Sequence, residues 1–514
     1  MWSKTDIGLI TIYQGGDIML FSDVIKDVEL RNCPKNLNNI DVSDIKIDSR
    51  NVNPGDMFIA LKGENFDGNN AISEVINKGA SIVLTDQNIQ GTNIVNVDNA
   101  RSAYARVCKN FFGRACDDLK IIAVTGTNGK TTICNTIKEL LQFSGAKVGI
   151  IGTLGASYKN SVLDTGFTTP DPYLLHKIFA DMKSQGDEFV VMEASAHALE
   201  LNKLDGIKFE IGVLTNITED HLDYFKTMDN YAKAKYKLFD KGRVKLGIVC
   251  GDDDYCERLL VNQKVPTISY GIGIENDVYA SDIEKSFNGS SFCCDFMGEK
   301  THFKTCLVGE YNIKNAIASI AVCRSLGVPA DLIKLGMSCI SPVEGRFNVV
   351  KMGSLNIVVD YAHTPDGLEN VLETAKDLTK GKLIAIFGCG GNRDKLKRPI
   401  MGKIAEGIAD EVILTSDNPR FEDPFEIIKE ISSGMKKHSV KIIENRKDAI
   451  EYALNHYNNG ETIVIAGKGA EKYQDIKGVK YPYNDFDVIY GYYRNHFKKI
   501  DKDDVNDEDE SENE

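Results

Sequence analysis

Residues 121–132 read IIAVTGTNGKTT and bring together the groups that hold a nucleoside triphosphate. The apolar run from Ile121 to Val124 is expected to be a buried parallel strand. A turn carrying Gly126, Thr127, Asn128 and Gly129 follows, and Lys130, Thr131 and Thr132 open a helical pattern. In such a turn backbone N–H groups and the positive end of the helix dipole converge on an anion. A lysine adds a point charge, and a threonine hydroxyl can ligate Mg²⁺. The strict spacing G-x-x-x-x-G-K-[ST] would put a glycine where this chain has Val124, so the loop is a variant with its glycine drawn in to Gly126. A bland GKT turn is the competing reading, and the strand before it and the helix after it disfavour that. The chemistry expected is ATP binding.

In open α/β sheets ligands bind beyond the carboxyl ends of strands, so the polar residues after each apolar run matter most. After FVVM come Glu193, Ser195 and His197; after IGVLTN come Glu219, Asp220, His221 and Asp223. Glu193 and His221 fall at strand ends near the phosphate loop, where a carboxylate and an imidazole could hold Mg²⁺ against phosphates. YAKAKYKLF places Lys233, Lys235 and Lys237 on a helical pattern; a solvated basic face is expected for Lys233 and Lys237, and Lys235 differs only if it enters the cleft. Further on, GCGGNRDKLKRP, SDNPR and AGKGAEKYQ each follow a buried run, gathering Arg393, Arg420, Asp417 and Glu471. That mixture suits a zwitterionic ligand, with guanidinium on carboxylate and carboxylate on ammonium. A structural salt-bridge network is the equally weighted alternative.

The elements that must position these groups are legible as apolar runs alternating with helical patterns. MFIALKG, AISEVINKG and SIVLTD indicate a small α/β domain over residues 19–116, after a possible extension, 1–18, with Met19 a candidate start. VGIIGT, FVVMEA, IGVLTN and LGIVCG indicate a mostly parallel, doubly wound sheet over 117–341, with a polar strand-rich edge or insertion at 275–305. NIVVDYA, LIAIFGCGG, EVILTSDN and TIVIAGKG indicate a second α/β sheet over 342–497. The fold class is thus α/β with three domains, and the acidic stretch 498–514 is expected to be disordered.

The chain has 514 residues, 42% hydrophobic and 26% charged, in the range of a soluble multidomain protein. A net charge of −14 argues against a nucleic-acid surface. No apolar run reaches the roughly 20 residues of a membrane helix, and the N-terminus lacks the features of a secretory signal. Twelve cysteines without a CxxC pair suit reduced thiols in the cytoplasm.

Taken together, IDSRNVNPGDMFIALKG, TGTNGKTT, TTPDP, MEASAHALE, TNITEDHLDY, YAKAKYKLF, GRF, DYAHTPDGLE, FGCGGNRDKLKRP, SDNPR and GKGAEKYQ resemble the Mur ligase family, most closely its tripeptide-synthetase type. The likeness runs from about Asp41 to Tyr490, and the order of motifs separates it from folylpolyglutamate synthetase, which shares the central domain. The resemblance implies a small UDP-binding domain, a P-loop ATPase-like central domain and a Rossmann-like last domain. It implies that Ser49 and the loop around Glu64 to Phe66 bind the uridine diphosphate end, and that Thr168, Thr169, Ser195 and Lys203 hold the muramoyl-peptide. Residues 126–132 would hold ATP, with Asn315 and Arg346 on the adenine and nucleotide and Asp360 on the ribose. Thr131, Glu193 and His221 would take Mg²⁺ together with Lys235, which is carbamylated in the family; Lys130, Glu193, His221 and Lys235 form the catalytic set.

Diaminopimelate-adding members carry DNPR, and here Asp417, Asn418, Pro419 and Arg420 are intact, with Arg393, Gly467 and Glu471 matching the remaining contacts. Ala196 and Ala470 stand where serine and histidine are usual, and Leu201 and Lys203 replace polar or basic residues of some members. The resemblance implies ATP-dependent addition of meso-diaminopimelate to UDP-MurNAc-L-Ala-D-Glu by a cytoplasmic monomer. Lysine or another amino acid, or a folylpolyglutamate-type activity, is the alternative.

Overall fold

The computed structural model describes residues 18–63, 66–158, 161–436 and 440–496. The expected N-terminal extension before residue 18, residues 64 and 65 of the expected uridine-diphosphate loop, and the acidic stretch 498–514 lie outside the described residues.

Three large sheets carry the chain. The first has five strands in the order Leu30–Asn32, Ile94–Val97, Ile82–Thr85, Met57–Ile59 and Ile45–Lys46. All neighbours are parallel except Leu30–Asn32. The apolar core passes without a break from this unit into the next. Phe112 meets Tyr173 edge to face at 4.9 Å, and the Tyr173 hydroxyl donates to Asp44 at 2.8 Å.

The central sheet has eleven strands. Its parallel middle runs Val148–Gly152, Phe189–Glu193, Lys120–Thr125, Phe209–Leu214, Val244–Cys250 and Thr267–Gly271. These strands are covered on both faces, which is why they read as unbroken apolar runs. The chain leaves Lys120–Thr125 to one side and later returns past it to Phe209–Leu214. The carboxyl end of Lys120–Thr125 therefore opens into the crevice where the strand order reverses, the place such sheets bind ligands. The polar stretch expected to be an edge is one: Val278–Ser286, Gly289–Phe296 and Glu299–Thr305 close the sheet as an antiparallel meander.

The third sheet has six strands, ordered Asn348–Met352, Leu355–Asp360, Thr462–Ala466, Leu383–Phe387, Glu411–Leu414 and Val440–Ile442, parallel except for the first. Period-two alternation splits its core between the faces. Leu383, Phe387 and Val464 pack on one side, and Ile384, Ile386, Ile463 and Ile465 on the other. The helix Asp485–His496 is pinned to this sheet by a fully buried pair, Arg446 on Asp485, whose guanidinium Nε and one Nη each donate at 2.8 Å. No helix among the described residues is long and apolar enough to cross a membrane. All twelve cysteines are free and most are buried.

Candidate active site

The buried strand Lys120–Thr125 delivers the phosphate loop, and the helix Lys130–Phe143 takes it away. Two glycines are required by space as much as by backbone. At Gly126 (φ +145°) a Cβ would lie 1.8 Å from Thr215 Oγ1, and at Gly129 (φ +87°) it would lie 2.4 Å from Asn315 Oδ1. The neighbouring strand end fixes the loop. Thr215 donates to the Asn128 carbonyl at 2.6 Å, the Asn128 N–H donates to Asn216 Oδ1 at 2.8 Å, and the Thr127 N–H donates to the Asn216 carbonyl at 2.9 Å. Lys130 Nζ donates to the carbonyls of Gly126 and Thr127 at 3.0 and 2.7 Å. Burial pulls its pKa down, against the pull of Glu193 and Asp220. Thr132 is buried one residue further into the helix.

Glu193, 1% exposed, ends the adjacent strand Phe189–Glu193 and faces the loop. Its Oε1 accepts from Thr131 Oγ1 at 3.0 Å and the Thr153 N–H at 2.9 Å, and its Oε2 accepts from Thr153 Oγ1 at 3.1 Å. Lys235 points inward as well. It is 1% exposed, donates to the Gly126 carbonyl at 2.8 Å, and lies over the Tyr231 ring at 4.2 Å. Burial, reinforced by Lys130, holds its pKa well below the usual lysine value. Lys233 is exposed and Lys237 pairs with Glu200 at 2.7 Å, as a solvated face requires.

His221 sits elsewhere in the same crevice. Its Nε2 is 3.2 Å from Asp220 Oδ2, and its ring lies 4.8 Å from His197 and 6.1 Å from Tyr231. Burial brings its pKa to about 4. Burial pushes Asp220 up, but His221, His363 and Lys397 outweigh it, and the carboxyl ends below its ordinary value. Among the described residues no three His, Cys, Asp or Glu side chains converge as a metal cluster. The pair that does meet, Thr131 with Glu193, offers hard oxygens beside the phosphate loop. That fits Mg²⁺, which keeps several waters and takes one or two carboxylates plus phosphates.

A group of hydroxyls surrounds Glu193. Thr168 Oγ1 is 3.1 Å from Thr153 Oγ1; Thr169 Oγ1 donates to the Glu193 carbonyl at 2.9 Å and lies 3.2 Å from Ser195 Oγ. Ser195 also caps the helix Ala196–Glu200 through the Ala198 N–H at 3.3 Å. Lys203 lies over the exposed Phe167 ring at 5.3 Å, its pKa lowered by burial. Ser49 stands apart, buried at a turn of the first unit, where its carbonyl accepts from Lys78 at 2.9 Å.

The third sheet reaches the phosphate loop directly. Arg346 donates to Thr131 Oγ1 at 3.2 Å, and Asn128 Nδ2 donates to Asp366 at 2.6 Å. Arg346 also lies over the Tyr361 ring at 4.4 Å. Asp360 accepts the Phe347 and Ala362 N–H groups, both at 2.6 Å, and burial raises it to about 6 against the pull of Arg346 and those donors. Asn315, buried on the helix Glu310–Ser325, bonds Asn312 at 3.0 Å and closes over Gly129.

At the far strand ends of that sheet, Asn418 Nδ2 donates to Glu471 Oε2 at 2.8 Å. Arg420, in the left-handed region at φ +50°, donates to the Gly391 carbonyl at 2.7 Å, with Asp475 3.9 Å from its Nε. The buried Asp417 lies beside Gly467, where a Cβ would be 2.5 Å from its Oδ2. Pro419 lends its carbonyl to the Glu422 N–H at 3.0 Å, and Arg393 is exposed. Three contributors escaped sequence reasoning: Asp366, His363 and Lys468. Lys468 is fully buried and bonds both Asn418 Oδ1 and Glu471 Oε2. Its only sequence signal is the glycine on either side, which marks a tight turn without showing where the lysine points.

Three family models match successive stretches: a Mur ligase family catalytic domain over residues 41–110, a Mur ligase middle domain over 124–323, and a Mur ligase glutamate ligase domain over 345–469. A UDP-N-acetylmuramoyl-L-alanyl-D-glutamate--2,6-diaminopimelate ligase of Clostridium tetani is 41% identical over 480 residues, 92% of this chain and 98% of the relative. The protein of that name from Aquifex aeolicus is 41% identical over 87% of this chain and 93% of its own length. A solved structure of such a ligase superposes with a TM-score of 0.69 at 31% identity, over 93% of this chain and 99% of the other. With matches running nearly end to end in sequence and in fold, the chain belongs to the Mur ligase family.

Proposed function

We propose that the chain is an ATP-dependent amide ligase that joins meso-2,6-diaminopimelate to UDP-MurNAc-L-Ala-D-Glu, as a monomer, in the cytoplasmic assembly of peptidoglycan precursors. The observation that carries this is the junction of two sites. Arg346 and Asp366 of the third sheet's unit bond the phosphate loop, while the same sheet holds Asp417–Arg420 and Glu471 at its strand ends. The near end-to-end relatives named for that reaction support the choice of substrates.

The γ-carboxylate of the D-glutamyl residue attacks the ATP γ-phosphorus, ADP leaves, and an acyl phosphate forms. The amine of diaminopimelate adds to the acyl carbon, the tetrahedral adduct expels phosphate, and the nitrogen loses a proton. A carboxylate is a poor electrophile, and phosphorylation supplies its leaving group. The protein's task is to bring two anions together and offset their repulsion. Lys130 and the first N–H groups of the helix Lys130–Phe143 face the phosphates, with Asn315, Arg346 and Asp360 on the nucleoside side. Ser49, Thr168, Thr169, Ser195 and Lys203 hold the UDP-muramoyl-peptide. Thr131 and Glu193, which meet beside the loop, would hold Mg²⁺, and His221 and a carbamylated Lys235 would offer further ligands from the same crevice; the ion when bound screens the phosphate charge. Burial lowers the pKa of Lys235 and so favours the neutral amine, the form that adds CO₂ to give a carbamate and a proton. Arg393 and Arg420 pair the distal carboxylate, and Asp417 and Glu471 the ammonium.

Two variants test this. Lys130→Ala is expected to abolish ADP release, and near-normal turnover would remove the phosphate-loop assignment. Arg420→Ala is expected to raise KM for diaminopimelate far more than KM for ATP; equal rises would refute its role.

A further inference from the structure

Lys468 stands among the residues of the amino-acid site with its side chain 0% exposed. Its ammonium donates to Glu471 Oε2 at 2.8 Å and to Asn418 Oδ1 at 3.0 Å. Asn418 Oδ1 also accepts the Asp475 N–H at 2.9 Å, while its Nδ2 donates to Glu471 Oε2 at 2.8 Å. The amide is thereby fixed in one orientation, because a flipped amide would turn its NH₂ against an ammonium and an N–H donor. Glu471 Oε2 is saturated by two donors. Among the described residues Oε1 has no hydrogen-bond partner, and the side chain is 21% exposed, so Oε1 is the oxygen able to meet a ligand.

From this geometry we infer that Lys468 is a positioning residue that sets amino-acid specificity: it aims Glu471 Oε1 and Asn418 at the ligand and cancels the glutamate's charge, so that the site prefers a zwitterion with two carboxylates over a dibasic monocarboxylate. The inference rests on the diaminopimelate reading above. With Lys468 in place, the Glu471–Lys468 pair is neutral, and Asp417, Arg420 and Arg393 remain to match one ammonium and one carboxylate. Without it, Glu471 is an uncompensated anion. Charge interactions in such a shielded site are strong, and lysine, which carries a net positive charge where diaminopimelate carries none, gains relative to it.

The test is steady-state ligation with UDP-MurNAc-L-Ala-D-Glu and ATP, using diaminopimelate or lysine as acceptor. Lys468→Met is expected to raise KM for diaminopimelate at least tenfold, leave KM for ATP within twofold, and lower the diaminopimelate-to-lysine ratio of kcat/KM at least tenfold. Lys468→Arg, which keeps the charge, is expected to restore part of that ratio. An unchanged ratio, or equal rises in KM for all three substrates, overturns the proposal. Should Lys468→Met fail to fold, Lys468→Met with Glu471→Gln removes both charges and leaves no buried ion unpaired. Its ratio is expected to fall at least tenfold below that of Glu471→Gln alone, and equal ratios overturn the proposal. Wild-type protein that turns over no diaminopimelate overturns the underlying reading as well; wild-type turnover with an indifferent Lys468→Met overturns this inference alone.

Discussion

Glu193→Gln separates the charge of the central carboxylate from its place in the fold. Glu193 accepts three hydrogen bonds while 1% exposed, two on Oε1 from Thr131 and the Thr153 N–H and one on Oε2 from Thr153 Oγ1. A glutamine of the same shape can set its carbonyl oxygen at Oε1, where both donors are met. Its NH₂ then falls at Oε2, and the Thr153 hydroxyl can rotate to accept from it. Bonds to a charged acceptor give about 1.5–3 kcal/mol and neutral ones about 0.5–1.5, a loss of about 3 kcal/mol over the three bonds. Relief of the buried charge's desolvation offsets part of it, so the exchange costs roughly 1–2 kcal/mol of stability. Glu193→Ala, by contrast, leaves the Thr153 N–H unsatisfied beside a cavity and costs about 3–5 kcal/mol. If the charge serves the phosphoryl step, Glu193→Gln loses on the order of 10²–10³ in kcat, about 3–4 kcal/mol of barrier. Urea titration and coupled ADP release measure the two effects. Glu193→Gln turning over within fivefold of wild type would refute the charge argument. A loss of stability above about 4 kcal/mol would show that the carboxylate's main role is structural.

Three further outcomes follow from other parts of the structure. Arg446→Met strands Asp485, which is 0% exposed, and is expected to cost about 3–5 kcal/mol in urea unfolding; adding Asp485→Leu is expected to recover most of it. Gly126→Ala sets a Cβ 1.8 Å from Thr215 Oγ1, and is expected to cost about 2–4 kcal/mol and to raise KM for ATP at least tenfold. His176, 1% exposed and with no partner for Nε2 among the described residues, is held by burial at about 3 against an ordinary 6.5. The unfolded chain protonates first, so this term is intact above pH 6.5 and is lost as pH falls, about 3 kcal/mol by pH 4; His176→Phe is expected to flatten that part of the pH–stability curve.

The phosphate loop and the strand ends were legible because parallel strands buried on both faces leave unbroken apolar runs, and ligand groups must follow them. Lys235 was legible only as a conditional: its helix pattern did not show which lysine turns inward, and the Gly126 carbonyl that receives it lies 109 residues away. The chain's break at 116/117 is marked by the start of a new apolar run, yet Phe112 and Tyr173 carry one core across it. Arg446 with Asp485, Asn128 with Asp366 and Lys468 with Asn418 escaped sequence reasoning for the same reason: each is a long-range pairing of residue types that are usually solvated, and burial alone gives them meaning.

Phosphate release from ATP in the presence of UDP-MurNAc-L-Ala-D-Glu, compared across diaminopimelate, lysine and glutamate, tests the proposed ligase most directly. Release that depends on both the UDP-dipeptide and diaminopimelate, at least tenfold faster than with either other amino acid, is the predicted result. Equal release with all three, or release that needs no UDP-dipeptide, would contradict it.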